Sequence, residues 1–283
     1  MPKIAVLQMT SGIDPWVNFE TIRDAAFSAQ EGGAEILFTP EMSLLLDRNR
    51  KRAAEHVMSE TESRYVKMLS NLAEETELYI ALGSMPVATD RKLWANRSML
   101  FWPSGEAPQT YDKIHMFDVD LVTGESWRES NAYLAGNRVF SEDITVTRMT
   151  KDGDEDEIFR LGLTVCYDVR FPALFEELGR RKCDVIAIPA AFTVPTGRDH
   201  WHVMMRARAI ESSAFVVAAA QVGEHEDGRK TYGHSLVIDP WGEVLLDMGG
   251  EEAGLAFVDI DLGRIAEVRA QLPSLANKRE IPK

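Results

Sequence analysis

The order of predicted secondary-structure elements is the same in both halves of this chain. Short apolar, β-branched runs alternate with segments in which apolar residues recur at helical spacing. In each half a strand, a helix, a strand that ends at a proline and a second helix are followed by two more strands. The last strand ends in a Pro-x-Gly-Glu turn, Pro103–Glu106 in the first half and Pro240–Glu243 in the second. Since many α/β chains look self-similar at this level, the two matching turns are what favour an internal repeat.

The repeat predicts sheets with helices packed against them, because strands that alternate with helices form that arrangement. The predicted strands are Lys3–Met9, Glu35–Thr39, Leu78–Gly83, Ser98–Trp102, Ile158–Cys166, Asp184–Ile188, Phe215–Ala220 and His234–Ile238. The predicted helices include Phe19–Ala29, Tyr65–Leu72, Pro172–Leu178 and Val203–Ile210. We predict an α/β fold in which the two half-units stack sheet on sheet, as a four-layer α-β-β-α sandwich with an internal pseudo-two-fold repeat. A single doubly wound sheet is the alternative.

No linker separates the two halves. We therefore predict one domain over residues 1–283, with a core at residues 3–262 and a C-terminal tail at residues 263–283. The polar, glycine-containing segment Thr150–Glu157 is predicted to be a solvated hairpin loop between two strands. A chain of 283 residues with 45% hydrophobic residues can bury a sizeable core.

Composition and charge restrict the classes of function. The net charge of -14 argues against a nucleic-acid partner, since a duplex would repel the chain. Two cysteines argue against a disulfide scaffold and indicate a reducing, cytoplasmic setting. We expect no membrane partner, because no apolar run approaches the roughly 18 residues needed to span a bilayer. Asn96–Ser98 matches a glycosylation sequon, a short motif that arises often by chance and has no use in the cytoplasm.

Cys166 lies at the end of a strongly apolar predicted strand, and a helix is predicted to begin at Pro172. A strand-to-helix turn of this kind exposes a nucleophilic sulfur and lets the N–H of Tyr167 point at a developing oxyanion. The alternative is a buried structural cysteine, because free cysteines are among the most buried residues. Cys183 starts a predicted strand and is interpreted as a core residue.

A cysteine nucleophile needs a base, since an unperturbed thiol has a pKa of about 8.5. None of the six histidines lies in a distinctive motif. His200 and His202 open a predicted helix, where i and i+2 side chains diverge, so no metal site is predicted. Glu41 lies just beyond a strand, at the carboxyl end where α/β sheets build sites. It could take the thiol proton while the ammonium of Lys113 stabilises the thiolate and the oxyanion.

Three segments together resemble the catalytic blocks of the nitrilase, or carbon–nitrogen hydrolase, superfamily. They are FTPE at Phe38–Glu41, YDKIHMFD at Tyr111–Asp118 and GLTVCYDVRFP at Gly162–Pro172, in the order that the family has. The resemblance extends over residues 3–262, nearly the whole chain. It implies a hydrolase of C–N bonds in linear amides, the α-β-β-α fold, a small-molecule amide substrate and no metal or organic cofactor.

The resemblance also implies roles for individual residues. Glu41 is expected to be the general base, Lys113 the oxyanion stabiliser and Cys166 the nucleophile of a Glu-Lys-Cys triad that forms a thioester acyl-enzyme. The backbone N–H of Tyr167 is expected to be a second oxyanion donor. Glu129, in a Glu-Ser context ahead of a glycine, is expected to orient the lysine and the leaving amine.

The stretch Ala190–Val244 looks like the amidases that act on deaminated glutathione, and it resembles the sibling ω-amidases less well. In both branches the substrate carries carboxylates. Arg170 is placed to pair with one, because a guanidinium suits that task. Phe192 and Thr196 resemble pocket positions of the same branch. The family implies a homodimer or a larger homo-oligomer.

Several alternatives remain open at this point. The same catalytic set would serve an ω-amidase on α-ketoglutaramate, an N-carbamoyl amidase or a nitrilase, because the pocket walls decide the substrate. A non-catalytic binding protein or a redox-sensing protein on the same fold is the alternative of another class. An intact set of Glu41, Lys113 and Cys166 favours the enzyme, since a binding module would not need it.

Overall fold

The computed structural model describes residues 1–120, 124, 126–150 and 153–282. The elements of the first part are β1 (Lys3–Gln8), α1 (Pro15–Glu31), β2 (Ile36–Phe38), α2 (Arg50–Ala53), α3 (Arg64–Thr76), β3 (Tyr79–Ala88), β4 (Trp94–Phe101), β5 (Gln109–Asp112), β6 (Asp118–Asp120), β7 (Ser126–Arg128), a 3-10 turn (Glu129–Asn131) and β8 (Tyr133–Leu134). Those of the second part are β9 (Phe140–Thr150), β10 (Gly153–Leu163), a 3-10 turn (Cys166–Arg170), α4 (Pro172–Arg180), β11 (Val185–Ala187), α5 (Val194–Ser212), β12 (Phe215–Ala218), β13 (Val222–Glu224), β14 (Lys230–Tyr232), β15 (Leu236–Ile238), β16 (Val244–Asp247), β17 (Gly254–Asp259) and α6 (Leu262–Gln271).

Two large sheets have the same topology. The first has the order β17-β1-β2-β3-β4-β5, with β8 also paired to β4, and the second has the order β9-β10-β11-β12-β15-β16. Three central strands are parallel in each sheet, and each strand outside this set in the order above pairs antiparallel with its inner neighbour. The internal repeat predicted from the order of elements is therefore confirmed, since β1 to β5 correspond to β10, β11, β12, β15 and β16.

Alternation along the strands shows how the layers stack. On β1, Ile4 and Val6 belong to the same buried cluster as Leu161 of the second sheet. Ala5 and Leu7, the intervening residues, pack with the apolar faces of α1 and α3. Because successive side chains of a strand point to opposite faces, β1 contacts the other sheet on one side and helices on the other. This arrangement confirms the predicted four-layer sandwich.

The prediction of a loop over Thr150–Glu157 is wrong for all of its described residues, since Thr150 ends β9. Residues from Gly153 onward belong to β10, which pairs antiparallel with β9 along its whole described length. Polar side chains stabilise this extension across the strands, as the 2.7 Å hydrogen bond from Thr147 Oγ1 to Asp156 Oδ1 illustrates. Polarity indicated a loop here because the hairpin extends past the apolar core. Residues 151 and 152 lie outside the described residues.

The carboxyl ends of the central strands of both sheets lie on one side of the sandwich. There the sheets are joined directly, because Met9 N donates to Ala220 O at 3.3 Å and Val222 N donates to Met9 O at 2.8 Å. The loops that follow β2, β10 and β11 therefore meet, as expected for a site at the ends of parallel strands. Among the described residues, no helix is both long and apolar enough to cross a bilayer.

Candidate active site

Glu41 follows β2 and is held on both carboxylate oxygens. Its Oε1 accepts hydrogen bonds from Lys113 Nζ and Asn96 Nδ2, each at 3.0 Å, and its Oε2 accepts one from Ala191 N at 2.9 Å. The turn that carries Glu41 packs closely against Gly83, where a Cβ would lie 2.2 Å from the Thr39 carbonyl oxygen. Glycine at this position therefore lets β3 approach the turn closely. The Glu41 carboxylate is buried there.

Lys113 is buried between two carboxylates. Its Nζ lies 3.0 Å from Glu41 Oε1 and 2.9 and 2.8 Å from the two oxygens of Glu129. Burial alone would lower the pKa of Lys113, but the charges of Glu129 and Glu41 outweigh it and hold the pKa well above its usual value. The ammonium is therefore charged, and its single positive charge is shared by two acids.

The Glu41 carboxylate is ionised despite its burial. Burial is the largest influence on its pKa and would raise it. The positive charge of Lys113 and hydrogen bonds from Cys166, Lys113 and Asn96 together outweigh burial and lower the pKa below its usual value. Glu41 is thus an ionised carboxylate that can accept a proton in a site screened from water.

Cys166 occupies the turn between β10 and α4, in the first position of a 3-10 turn. Its backbone has φ of +48°, an uncommon left-handed conformation for a residue other than glycine, and its N–H donates to Pro189 O at 2.8 Å. Burial, followed by the negative charge of Glu41, raises the pKa of the thiol well above its usual value, although Lys113 opposes this. The pair therefore rests as a thiol beside a carboxylate, which is the starting state for base-assisted attack.

Cys183 provides a contrast within the same chain. It is fully buried in the apolar cluster around α4 and β11. Burial is the main cause that raises the pKa of its thiol to about 12, with the charge of Asp184 adding to it. The prediction that Cys183 is a core residue is confirmed.

Asp168 connects the cysteine turn to the segment that carries Lys113. Its Oδ2 accepts hydrogen bonds from Tyr111 O–H at 2.7 Å and Val165 N at 2.9 Å. Its Oδ1 accepts one from His115 N at 3.0 Å and lies 2.7 Å from His115 Nδ1. The side chain is fully buried, so Tyr111 and His115 position the lysine segment through this one carboxylate. Asp168 could not be identified from the sequence, because its partners Tyr111 and His115 lie more than fifty residues away along the chain.

Asn96 is a second buried polar residue of the site that was not predicted from the sequence. Its Nδ2 donates to Glu41 Oε1 at 3.0 Å and to Glu129 Oε1 at 3.1 Å, so the amide bridges the two acids. The residue is fully buried on β4, which excludes the glycosylation that its sequon suggests. The one signal in the sequence was a polar residue at an inward-facing position of an apolar strand.

Glu129 is placed where the family resemblance expected it. It opens the 3-10 turn before β8, and its Oε2 also accepts a hydrogen bond from Phe117 N at 2.7 Å. Its side chain is only 12% exposed. The structure therefore brings Glu129 together with Glu41 and Lys113, although the three come from different loops.

The residues expected to contact substrate lie on the α5 side of Cys166. The guanidinium carbon of Arg170 lies 5.4 Å from the ring centre of Phe192 and 5.8 Å from that of Tyr167. Arg170 Nη2 also lies 3.3 Å from His200 Nδ1, and no carboxylate pairs with Arg170 in the described part of the chain. Thr196 lies in the first turn of α5, with its hydroxyl bonded to that of Thr193. The Arg170 guanidinium thus lies against the buried ring of Phe192, whereas Thr196 bonds locally.

Comparison with known proteins gives a consistent result. A family model described as carbon-nitrogen hydrolase matches residues 3–270. The chain is 36% identical over 276 residues to the deaminated glutathione amidase of Synechocystis sp., with 97% of both chains covered. It is 33% identical to the human deaminated glutathione amidase, over 99% of this chain and 83% of that protein.

Solved structures agree with the topology described above. The NitFhit protein of C. elegans superposes with a TM-score of 0.83 at 32% identity, over 98% of this chain and 65% of that one. An amidase from Nesterenkonia sp. has a TM-score of 0.74 at 25% identity, over 96% of this chain and 98% of that one. That structure is of a mutant of the amidase, and it shows the result of Michael addition of acrylamide at the active-site cysteine.

Proposed function

Because this chain belongs to the carbon–nitrogen hydrolase family, we propose that it hydrolyses a small carboxylate-bearing amide, such as deaminated glutathione, with Cys166 as the nucleophile. The family acts on C–N bonds, and the chain is an amidase that uses a cysteine. The observation that carries the assignment of residues is the buried contact of Glu41 with Lys113 beside the Cys166 thiol.

In the first half of the reaction, Glu41 removes the proton of the Cys166 thiol as the sulfur attacks the amide carbon. A C–S bond forms, and the carbonyl electrons move to oxygen. Lys113 and the Tyr167 N–H stabilise the oxyanion; this N–H lies at the start of a 3-10 turn, where no helical partner exists for it. Loss of one such donor costs roughly 10²–10³ in turnover.

In the second half, the C–N bond breaks and Glu41 returns the proton to the leaving nitrogen, so ammonia departs. Water, deprotonated by Glu41, then attacks the thioester carbon and releases the carboxylic acid and the thiol. Because Asn96 and Ala191 also bond to Glu41, the carboxylate keeps its place while it exchanges the proton. Glu129 and Asn96 hold Lys113 and Glu41 at fixed separation throughout.

Arg170 supports a substrate with a carboxylate. Its guanidinium is half-buried over Phe192 and has no carboxylate partner among the described residues, in a chain of net charge -14. Such a group attracts and orients an anionic substrate, and an Arg fork binds a carboxylate in two places. Both named amidase relatives act, by their names, on deaminated glutathione, which is consistent with this chemistry. We assign Phe192 and Thr196 to the same pocket.

The test measures ammonia release from deaminated glutathione, α-ketoglutaramate and an N-carbamoyl amino acid. We expect deaminated glutathione to give the highest kcat/KM, and we expect Cys166→Ala to abolish activity while Cys183→Ala retains it. An Arg170→Lys enzyme should show a raised KM with kcat little changed, because lysine keeps the positive charge but cannot bind a carboxylate in the bidentate way that a guanidinium does. Undiminished ammonia release by Cys166→Ala would contradict the assignment of Cys166 as the nucleophile. A higher kcat/KM for another substrate would contradict only the assignment of deaminated glutathione as the substrate.

We further propose that the protein works in the cytoplasm as a homodimer or larger homo-oligomer. Five apolar side chains are exposed on α5, on β16 and in the turn before β16: Val203, Ile210, Trp241, Val244 and Leu245. A second copy of the chain packed against α5 and β16 would bury apolar side chains of this region. Sedimentation velocity of the wild type and of Val203→Glu should show an oligomer that dissociates in the variant; a wild-type monomer at micromolar concentration contradicts the proposal.

A further inference from the structure

Two imidazoles and one carboxylate meet at a place that the amidase mechanism does not use. His202 Nε2 lies 3.0 Å from Asp247 Oδ2, and His234 Nδ1 lies 2.8 Å from Asp247 Oδ1. The ligand atoms of the three residues all lie within 4.8 Å of one another. We propose that His202, His234 and Asp247 bind a divalent transition-metal ion, of which Zn²⁺ is the reference case, and that this ion joins α5 to the β15–β16 hairpin.

The three side chains come from three separate elements. His202 lies within α5, His234 lies two residues before β15, and Asp247 is the last residue of β16. His202 lies two residues from His200 in the sequence, but the His200 side chain contacts Arg170 instead. An ion bound by all three would therefore connect parts of the fold that are distant in sequence.

The backbone fixes His234 in its position. Its φ is +54°, in the left-handed region, its N–H donates to Gly249 O at 2.7 Å, and its carbonyl accepts from Trp201 Nε1 at 2.7 Å. Its ring stacks on Tyr232 at 4.5 Å, with 25° between the planes. Gly249 N also donates to Asp247 Oδ1 at 2.9 Å. Two of the three ligands are thus oriented by contacts that do not depend on the ion, as a preformed site requires.

The donor set selects the kind of ion. Imidazole nitrogen and carboxylate oxygen suit Zn²⁺, Co²⁺ or Ni²⁺, whereas Mg²⁺ and Ca²⁺ prefer oxygen alone. Ligands about 2.0–2.2 Å from zinc in a tetrahedron require small side-chain shifts from the present separations. The side chains are 25–35% exposed, so an ion can enter from solvent and a water can take the fourth position.

The proposed metal site should affect the stability of the fold and not the chemical step of the proposed amidase reaction. None of its described hydrogen bonds reaches Glu41, Lys113 or Cys166. The ion would hold α5, whose first turn carries Thr196, against the second sheet. We therefore expect metal to stabilise the fold and to leave the chemical step unchanged.

The test titrates Co²⁺ into the chelator-treated Cys166→Ala protein, in which the catalytic thiol cannot act as a ligand. Visible absorption should report one ion per chain in a tetrahedral or five-coordinate site. The double variants that add His202→Ala or Asp247→Asn should bind at least about tenfold more weakly, since even loss of a supporting contact costs about 10–100-fold. The variant that adds His56→Ala, an exposed histidine elsewhere, is the control and should bind like its parent.

Thermal unfolding of otherwise wild-type protein gives the second readout. Zn²⁺ should raise the Tm of the wild type and of His56→Ala, and at the same concentration it should raise the Tm of His202→Ala and Asp247→Asn less. Equal Co²⁺ spectra and affinities with and without His202 would overturn the proposal. So would failure of the parent protein to bind Co²⁺ at millimolar concentration, which would leave a hydrogen-bonded His–Asp–His cluster.

Discussion

The exchange of Glu129 for glutamine tests whether the charges around Lys113 must be balanced by two acids. Glutamine has nearly the same shape but no charge and only one acceptor oxygen. With Glu129 neutral, Lys113 would pair more strongly with Glu41, which lowers the pKa of Glu41 further and makes it a weaker base. We therefore expect kcat to fall, while KM changes little because Glu129 does not bind the carboxylate of the substrate.

The size of the effect follows from the hydrogen bonds. Glu129 accepts four, two from Lys113 Nζ at 2.9 and 2.8 Å, one from Asn96 Nδ2 at 3.1 Å and one from Phe117 N at 2.7 Å. In Glu129→Gln the side-chain NH₂ replaces one of the two oxygens, and in either orientation it faces two of these donors. Two of the four hydrogen bonds are therefore lost. Bonds to charged groups are worth about 1.5–3 kcal/mol each, which gives a loss of about 3–6 kcal/mol in unfolding free energy. A displacement of about 1 Å at Lys113 would cost about 10²-fold in kcat.

Steady-state ammonia release and urea unfolding measure the two quantities on the same protein. Glu267→Gln is the matched control, because Glu267 makes a 3.2 Å ion pair with Arg264 but is 63% exposed. Its loss should cost less than about 1 kcal/mol and leave kcat unchanged. A Glu129→Gln enzyme with the kcat and stability of the wild type would refute the idea that both acids are required.

Three further outcomes are expected. Lys113→Met removes the largest influence that lowers the pKa of Glu41, so this pKa rises relative to the wild type. The acid limb for alkylation of the Cys166 thiol by iodoacetamide should then move to higher pH, and an unmoved limb would count against the coupling. Burial is the main cause that lowers the pKa of His225 in the folded protein. As the pH falls below about 6.5, the imidazole therefore binds a proton in the unfolded chain before it does so in the folded one, and the folded state becomes less stable. A plot of Tm against pH should show this decline for the wild type but not for His225→Gln. Tyr111→Phe removes one hydrogen bond to the buried Asp168 and should cost about 1.5–3 kcal/mol in urea unfolding, and an unchanged midpoint would show that the contact is not stabilising.

Most of the fold could be predicted from the sequence because its strands are short apolar runs with clear ends. Proline and Pro-x-Gly-Glu turns mark where the strands stop, and the same order in both halves indicated two stacked sheets. The segment Thr150–Glu157 was misinterpreted, since a hairpin that extends beyond the core has polar residues on both faces and lacks the alternation that identifies a strand.

The proposed catalytic residues could be recognised from the family resemblance but not from local sequence patterns. Glu41, Lys113 and Cys166 lie far apart in sequence, and each alone has an ordinary structural explanation. Their association was inferred from the family resemblance, and the structure places them together. Asn96 and Asp168 were missed because a buried polar residue is distinguished only by its partners, which belong to other strands.

The most direct test is to look for the acyl group on the cysteine during turnover. Wild-type protein mixed with an amide substrate and quenched in acid should show an acyl adduct by intact mass, and peptide mapping should place it on Cys166 and not on Cys183. Hydroxylamine should divert the product to a hydroxamate. Ammonia release with no adduct and no hydroxamate, together with full activity of Cys166→Ala, would contradict a thioester on Cys166.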